Sequence, residues 1–241
     1  MQQHLTTRAV TWQFSRRMGS AAALCAACLS TPAFAANGGL DDAILALPHQ
    51  WAQVAYALPA PQQDEGYRGL LGAAEQASIA NPGRAEPLVW QAIALSGAAQ
   101  AEGGLAGLAK AKRARDLLLQ AEKLDANALS GSIYGTLGSL YAKVPGWPIG
   151  FGDKTRAKAY FERALAINPQ GIDPNYFYAD FLADQGHYAE AVEHLERALA
   201  APARPGRADS DAGRRREAQA LLDSLRQQHG DQLVARRGGR P

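Results

Sequence analysis

The stretch VPGWPIGFGD, Val144–Asp153, stands directly before Lys154 and Thr155. Glycines followed by Lys-Thr are typical of the phosphate-binding loop GxxxxGK[ST], whose backbone amides and lysine hold the phosphates of a nucleotide. Here Asp153 takes the place of the glycine before the lysine, and no strand pattern precedes the stretch. A carboxylate at that position would repel a phosphate. The sequence therefore disfavours a nucleotide site, and it predicts that Asp153 caps a helix beginning at Lys154.

The other residue types that could do chemistry form no catalytic or metal-binding pattern. His187 and His194 are not arranged as in HExxH, and no GxSxG sequence is present. The cysteines, Cys25 and Cys28, both lie within the first 35 residues. We therefore predict that the protein is not an enzyme and has no catalytic residue, metal site or cofactor.

Residues 1–35 are typical of a cleavable secretory signal peptide. Three arginines and no acidic residue accompany the apolar run Met18–Leu29, and Ala33–Ala35 is an Ala-x-Ala cleavage site. We expect export to the periplasm, by either the general secretory or the twin-arginine route. The chain has no run of the ~20 apolar residues that a transmembrane helix needs. Cleavage would change the formal net charge from +2 to about −1, which disfavours nucleic acid as a partner.

A helical packing pattern recurs along the rest of the chain. Its plainest copy has the spacing A-x3-F-x2-A-x4-P, at Ala157, Phe161, Ala164 and Pro169. The small residues allow two helices to approach closely, the large residue fills the groove between them, and the proline ends the helix. Because one such hairpin leaves an apolar face uncovered, several must stack.

This pattern resembles the tetratricopeptide repeat (TPR), and the resemblance extends over residues 45–205. It implies an all-α fold, a right-handed α-solenoid of about four TPR-like helical hairpins with a C-terminal capping helix. We expect a repeat domain over residues 36–230, with units near 45–84, 87–128, 130–170 and 172–205, a capping helix at 210–228 and a flexible tail at 231–241. In the capping helix, an apolar stripe should face the repeats and the run RRRE, residues 214–217, should face solvent.

The two middle units are each longer than the last by about seven or eight residues at the turn between their helices. The insertions are Val144–Asp153 and the segment Ala99–Lys110. Insertions at the same turn of neighbouring repeats lie on one edge, so we expect the two to touch and to wall a groove beside the concave face. The aromatic and apolar residues predicted to bind at this groove are Trp147, Ile149, Phe151, Tyr134, Tyr141 and Tyr178.

Trp147 occupies none of the repeat positions, and leaving an indole in water is unfavourable. Two alternatives are open: Trp147 is buried against its own repeats, or it lies in a site that a ligand or partner completes.

More narrowly, residues 135–169 resemble the repeat component associated with TRAP-type (tripartite ATP-independent periplasmic) solute transporters. That resemblance implies a partner of a substrate-binding protein that can hold a hydrophobic ligand. We predict a non-catalytic, exported scaffold or adaptor that binds a protein, a peptide or a small hydrophobic ligand through its concave face and inserted loops. An accessory role in periplasmic solute uptake is the alternative, and an enzyme is a third class without a supporting motif.

Overall fold

The computed structural model describes residues 38–238, and the predicted signal peptide, residues 1–35, lies outside them. The described chain contains helices joined by short turns and has no strand within residues 38–238. The helices are α1 (Gly38–Ala52, followed by a π-helical turn, Gln53–Ala57), α2 (Ala60–Ala80), α3 (Glu86–Glu102), α4 (Gly104–Leu124), α5 (Ser132–Lys143, preceded by a 3-10 turn, Ala128–Gly131), α6 (Lys154–Ile167), α7 (Ile172–Asp184), α8 (Tyr188–Ala200) and α9 (Ala208–Gly238).

Consecutive helices pack in pairs, and each pair packs on the next. The pairs α1–α2, α3–α4, α5–α6 and α7–α8 are joined through contacts of α2 with α3, α4 with α5, α5 and α6 with α7, and α8 with α9. The pairs α5–α6 and α7–α8 lie within residues 130–170 and 172–205, whereas α1 and α3 begin before residues 45 and 87. The predicted all-α solenoid is therefore confirmed.

The small and large residues of the repeat pattern act as their spacing predicts. Ala157, Phe161 and Ala164 lie on one side of α6 and are fully buried. A Cβ placed on Gly138 of α5 would lie 2.7 Å from the ring of Phe161, so only a glycine allows the two helices their observed separation. The carboxylate of Asp153 accepts hydrogen bonds from the amides of Thr155 (2.9 Å) and Arg156 (3.0 Å), which confirms the predicted cap of α6.

Helix α9 does more than cover the last repeat, because it also contacts α1 and α7. The Ser210 hydroxyl donates to the backbone oxygen of Pro48 (3.1 Å), and the Tyr56 hydroxyl donates to Glu217 Oε2 (2.9 Å). Gly213 permits this approach, since a Cβ there would lie 2.1 Å from the Tyr56 ring. Helix α9 therefore joins the first helical pair to the last one.

Helix α9 differs in two respects from the helix and tail predicted from the sequence. The apolar stripe is buried as predicted, but the RRRE run does not face solvent throughout, because the side chain of Arg214 is only 8% exposed. The predicted flexible tail, residues 231–241, begins inside α9, which continues to Gly238 after a break in helical geometry at His229. In the described part of the chain, no helix has both the length and the apolar content that crossing a membrane requires.

Candidate functional site

The repeats and α9 surround a cavity of about 790 Å³ on the concave side of the solenoid. One part of its wall is aromatic and aliphatic, with side chains from Trp51, Tyr67, Trp90, Ile93 and Phe177. Another part is charged and comes mainly from α9 and the segment before it, with Asp173 of α7, Arg204, Arg207, Arg214 and Glu217. The cavity lining thus combines apolar rings with ionised side chains, and the arginines lie close to several of the rings.

Asp173 is the centre of a network of ion pairs in this wall. Its carboxylate accepts from Arg204 Nη1 at 2.6 Å and from Arg214 Nε at 2.9 Å. Arg204 also pairs with Asp211 (2.6 Å), and Arg214 also pairs with Glu217 (2.6 Å). Burial by itself would raise the pKa of Asp173, but the charges of Arg214 and Arg204 outweigh it and lower the pKa to about 2. Asp173 is therefore ionised and joins α7 to α9.

Aromatic side chains hold the guanidinium of Arg214 in place. Its Cζ atom lies 4.6 Å from the ring centre of Tyr176 and 4.5 Å from that of Phe177. Burial raises the pKa of Tyr56, and the neighbouring Glu217 carboxylate adds to the increase. Tyr56 is therefore a neutral hydrogen-bond donor at any physiological pH.

Arg207 differs from the other two arginines of the wall. It forms no salt bridge within residues 38–238, and its buried Nε atom has no hydrogen-bond partner. Its Cζ atom lies 5.5 Å from the ring centre of Trp90, whose buried Nε1 also has no acceptor. Burial lowers the pKa of Arg207, and the positive charge of Arg204 lowers it further. No local sequence pattern marks these residues as a site, because an arginine that lacks a carboxylate partner in space looks like any other arginine in the sequence.

The backbone is strained where the cavity wall reaches the start of α5. Leu129 (φ 51°) and Ser130 (φ 52°) are both left-handed, which is unfavourable for residues with a Cβ atom, and Gly131 follows with φ 89°. All three residues line the cavity. Within the described chain they are the wall segment with the least favourable backbone geometry.

The inserted loop Val144–Asp153 folds against itself. The Gly152 amide donates to the backbone oxygen of Pro145 (2.9 Å), and the Gly150 amide donates to that of Gly146 (3.0 Å). A Cβ on Gly152 would lie 1.9 Å from the backbone oxygen of Val144, so only glycine fits at this position. The loop is therefore a turn that is held together by its own backbone hydrogen bonds.

Three predicted binding residues lie on this loop and face different ways. Phe151 points inward and contacts the Tyr141 ring edge-on, with ring centres 5.2 Å apart. Trp147, whose bond to Pro148 is cis, is 90% exposed, and Ile149 is 62% exposed. The alternative in which the repeats bury Trp147 is therefore wrong. The loop contacts the repeats through Phe151 and its two ends. Trp147 lies on the side of the loop that faces solvent.

The predicted tyrosines do not line the cavity. Tyr134, Tyr141 and Tyr178 are each at most 9% exposed and pack between helices, where Tyr160 stacks on the first two with ring centres 6.2 and 5.4 Å apart. Tyr178 instead meets the imidazole of His194 edge-on at 4.9 Å. The expectation that these rings form the surface of the groove is corrected: they are part of the packing between repeats.

The second insertion, Ala99–Lys110, is mostly helical, because α3 continues to Glu102 and α4 begins at Gly104. The two insertions touch as predicted, since Leu108 Cδ1 lies 3.4 Å from the position of a Cβ on Gly150. Ala101 contributes to the cavity wall, whereas the loop Val144–Asp153 does not. The insertions therefore do not wall a common groove, and α9 supplies the wall that they were expected to form.

Comparison with known proteins identifies the repeat. Residues 149–210 match the family model described as tetratricopeptide repeat. Among solved structures, the chain is similar to a thermophilic TPR protein of Thermus thermophilus, with 19% identity, coverage of 74% of this chain and 98% of that chain, and a TM-score of 0.39. It is also similar to PilF of Pseudomonas aeruginosa, with 15% identity, coverage of 84% and 100%, and a TM-score of 0.32. No curated protein matches the chain. The narrower resemblance to the TRAP-associated component stays a prediction.

Proposed function

We propose that this protein is an exported, non-catalytic adaptor that binds a folded protein partner through the loop Val144–Asp153, a proposal that the match of residues 149–210 to the tetratricopeptide-repeat model supports. TPR proteins are generally scaffolds that bind other proteins. The observation that carries the proposal is the position of Trp147, which is 90% exposed on a loop whose backbone is held by hydrogen bonds. Export is supported by the signal-like composition of residues 1–35.

An exposed tryptophan on an ordered loop is suited to anchor a partner. Covering an indole removes about 150–250 Å² from water, worth on the order of 4–6 kcal/mol at ~25 cal/mol/Å². Tryptophan is also among the residues that most often dominate the energy of a protein interface. Since the internal hydrogen bonds of the loop already fix its backbone, little conformational entropy would be lost on binding.

The exposed loop is a better protein site than the concave face. In many solenoids the concave surface is an open groove, but here α9 contacts both α1 and α7 across it. What is left is a cavity of about 790 Å³, a size that suits a small molecule better than an extended peptide. We therefore place the protein partner on the outer edge, with Trp147 inserted in an apolar pocket of the partner and Ile149 beside it.

The test is recovery of the partner by variants of the protein expressed in its own host. Wild type and Trp147→Ala are cross-linked in cells, purified and analysed by size-exclusion chromatography and native mass spectrometry. We expect wild type to give a complex of fixed stoichiometry. Trp147→Ala should give about tenfold less of that complex, or less still. The matched control is Ile79→Ala on α2, which removes another exposed apolar side chain (73% exposed) and should leave recovery unchanged.

The proposal is wrong if Trp147→Ala retains the complex or if Ile79→Ala loses it to the same extent. It also fails if the only species recovered contains several copies of this chain, because Trp147 would then serve self-association. Circular dichroism of each variant establishes that the helical fold is kept.

A further inference from the structure

We propose that the cavity binds a small organic monocarboxylate with an apolar body, and that the guanidinium of Arg207 pairs with its carboxylate. This site is separate from the proposed protein site, because the loop Val144–Asp153 does not line the cavity. The inference is carried by Arg207, which lines the cavity and forms no salt bridge within residues 38–238.

Two arginines and three serines of the cavity lining already have hydrogen-bond partners within the protein. Arg204 and Arg214 each pair with two carboxylates. Three serine hydroxyls in the cavity lining donate to backbone oxygens of their own helix or of the turn before it. They belong to Ser96 (2.7 Å), Ser132 (2.7 Å) and Ser139 (3.0 Å). Among the three arginines of the cavity lining, Arg207 is therefore the one whose guanidinium is not paired with a carboxylate of residues 38–238.

Buried donors are rarely left without an acceptor, and a buried charge without a partner is more unfavourable still. An acceptor bound inside the cavity would pair with the guanidinium of Arg207. A carboxylate fits this role, because its two oxygens match the planar fork of a guanidinium.

The charges of the same wall limit how much negative charge the ligand can carry. Asp173 and Glu217 both line the cavity, and Asp173 is ionised because Arg204 and Arg214 lower its pKa. A second anionic group on the ligand would meet these carboxylates without a free arginine to balance it. The wall therefore selects a monoanion over a dianion.

The apolar residues of the cavity lining indicate the remainder of the ligand. Trp51, Trp90, Ile93 and Phe177 present aromatic and aliphatic surface, and the volume of about 790 Å³ lies within the range of small-molecule sites. Burying an apolar body against these rings supplies the favourable free energy that a lone ion pair cannot. An aromatic or branched aliphatic acid can place its carboxylate at Arg207 and its apolar body against these residues.

A purely structural role for Arg207 makes a different prediction. Its guanidinium lies 5.5 Å from the Trp90 ring centre, and if that cation–π contact were its purpose, removing the charge would lower stability. If Arg207 is instead placed to pair with an anion, Arg207→Gln removes an unpaired charge. The unliganded variant should then melt at the wild-type temperature or above it.

The experiment is isothermal titration calorimetry of the full protein with a series of phenylalkanoates, from phenylacetate to phenylhexanoate, and with the corresponding uncharged primary amides. We expect at least one acid to bind saturably to wild type and at least about tenfold more weakly to Arg207→Gln. The amides should bind both proteins equally weakly. Arg216→Gln is the matched control, since that exposed arginine of α9 does not line the cavity and should leave binding unchanged.

Three results would overturn the proposal: no acid of the series binds, Arg207→Gln binds the acids as wild type does, or the amides bind wild type as tightly as the acids. A melting temperature of unliganded Arg207→Gln below that of wild type would indicate the structural role instead. Should Arg207→Gln fail to fold, Arg207→Lys retains the charge without the planar fork. It must then bind the best acid more weakly than wild type does, or the proposal is wrong.

Discussion

Replacing Asp173 by asparagine should loosen the connection between α7 and α9 and change how stability depends on pH. Asparagine keeps the shape of the side chain but removes the charge that Arg204 and Arg214 share. Both arginines keep one other carboxylate, Asp211 and Glu217 respectively. The substitution therefore weakens the network without leaving a guanidinium wholly unpaired.

The magnitude follows from the two contacts that Asp173 loses. Its hydrogen bonds of 2.6 and 2.9 Å are charge-assisted and part-buried. Each such bond contributes about 1.5–3 kcal/mol, and the low end applies because both arginines keep another partner. We expect the free energy of unfolding to fall by about 3 kcal/mol. For a chain of this length that corresponds to a decrease in Tm of about 6–12 °C.

The pH dependence distinguishes an electrostatic effect from a packing effect. The pKa of Asp173 is lowered from 3.8 to about 2 in the folded state, so the folded protein binds this proton less readily than the unfolded chain does. The resulting stabilisation, about 2 kcal/mol, is complete above about pH 4 and is lost as the pH falls through about 2. The difference in stability between wild type and Asp173→Asn should shrink over that interval.

The assay is urea unfolding followed by far-ultraviolet circular dichroism at a series of pH values between about 6 and 2. Asp184→Asn is the matched control, because Asp184 accepts from Lys143 Nζ at the same 2.6 Å but both side chains are exposed. That pair should contribute less than about 1 kcal/mol. The reasoning is refuted if Asp173→Asn is no less stable than Asp184→Asn, or if its destabilisation is the same at every pH.

Two further predictions concern the loop and the leader. Gly152→Ala should destabilise the protein by about 2–3 kcal/mol in the same urea assay, because the new Cβ would lie 1.9 Å from the Val144 oxygen. The control is Gly72→Ala on α2, where no atom lies within 4 Å of the new Cβ. It should leave the stability unchanged or raise it by up to about 1 kcal/mol. A greater loss of stability for Gly72→Ala than for Gly152→Ala would contradict this reasoning. The protein recovered from the periplasm should begin near Ala36 in intact-mass analysis. A product that retains residues 1–35 would show that the leader is not cleaved.

Much of the fold could be predicted because repeat packing depends on local spacing. Ala157, Phe161 and Ala164 share one side of α6 through the helical period alone, and all three are buried as the pattern requires. Asp153 could be identified as a cap for the same reason, since its partners are the next amides along the chain. Such features need no knowledge of distant residues.

The candidate sites were less predictable because they depend on which distant residues meet. The sequence left open whether the repeats bury Trp147, because whether a loop residue is covered depends on what packs over it, and nothing in the described chain does. The tyrosines predicted to line a groove occupy repeat positions, and the stacking of neighbouring helices buries them.

The sequence by itself determined the repeated helical pairs, the cap at Asp153 and the surplus residues between α5 and α6, because spacing along one helix decides which side chains share a face. Only the tertiary structure decided that α9 joins the two ends of the solenoid. The contact between Tyr56 and Glu217 spans 161 residues, and the pairing of Arg214 with Asp173 spans 41. From the sequence, Arg204, Arg207 and Arg214 are three equivalent cations. Their positions relative to Asp173 and Asp211 place two of them in salt bridges and leave Arg207 without one among residues 38–238, since an ion pair depends on distance in space.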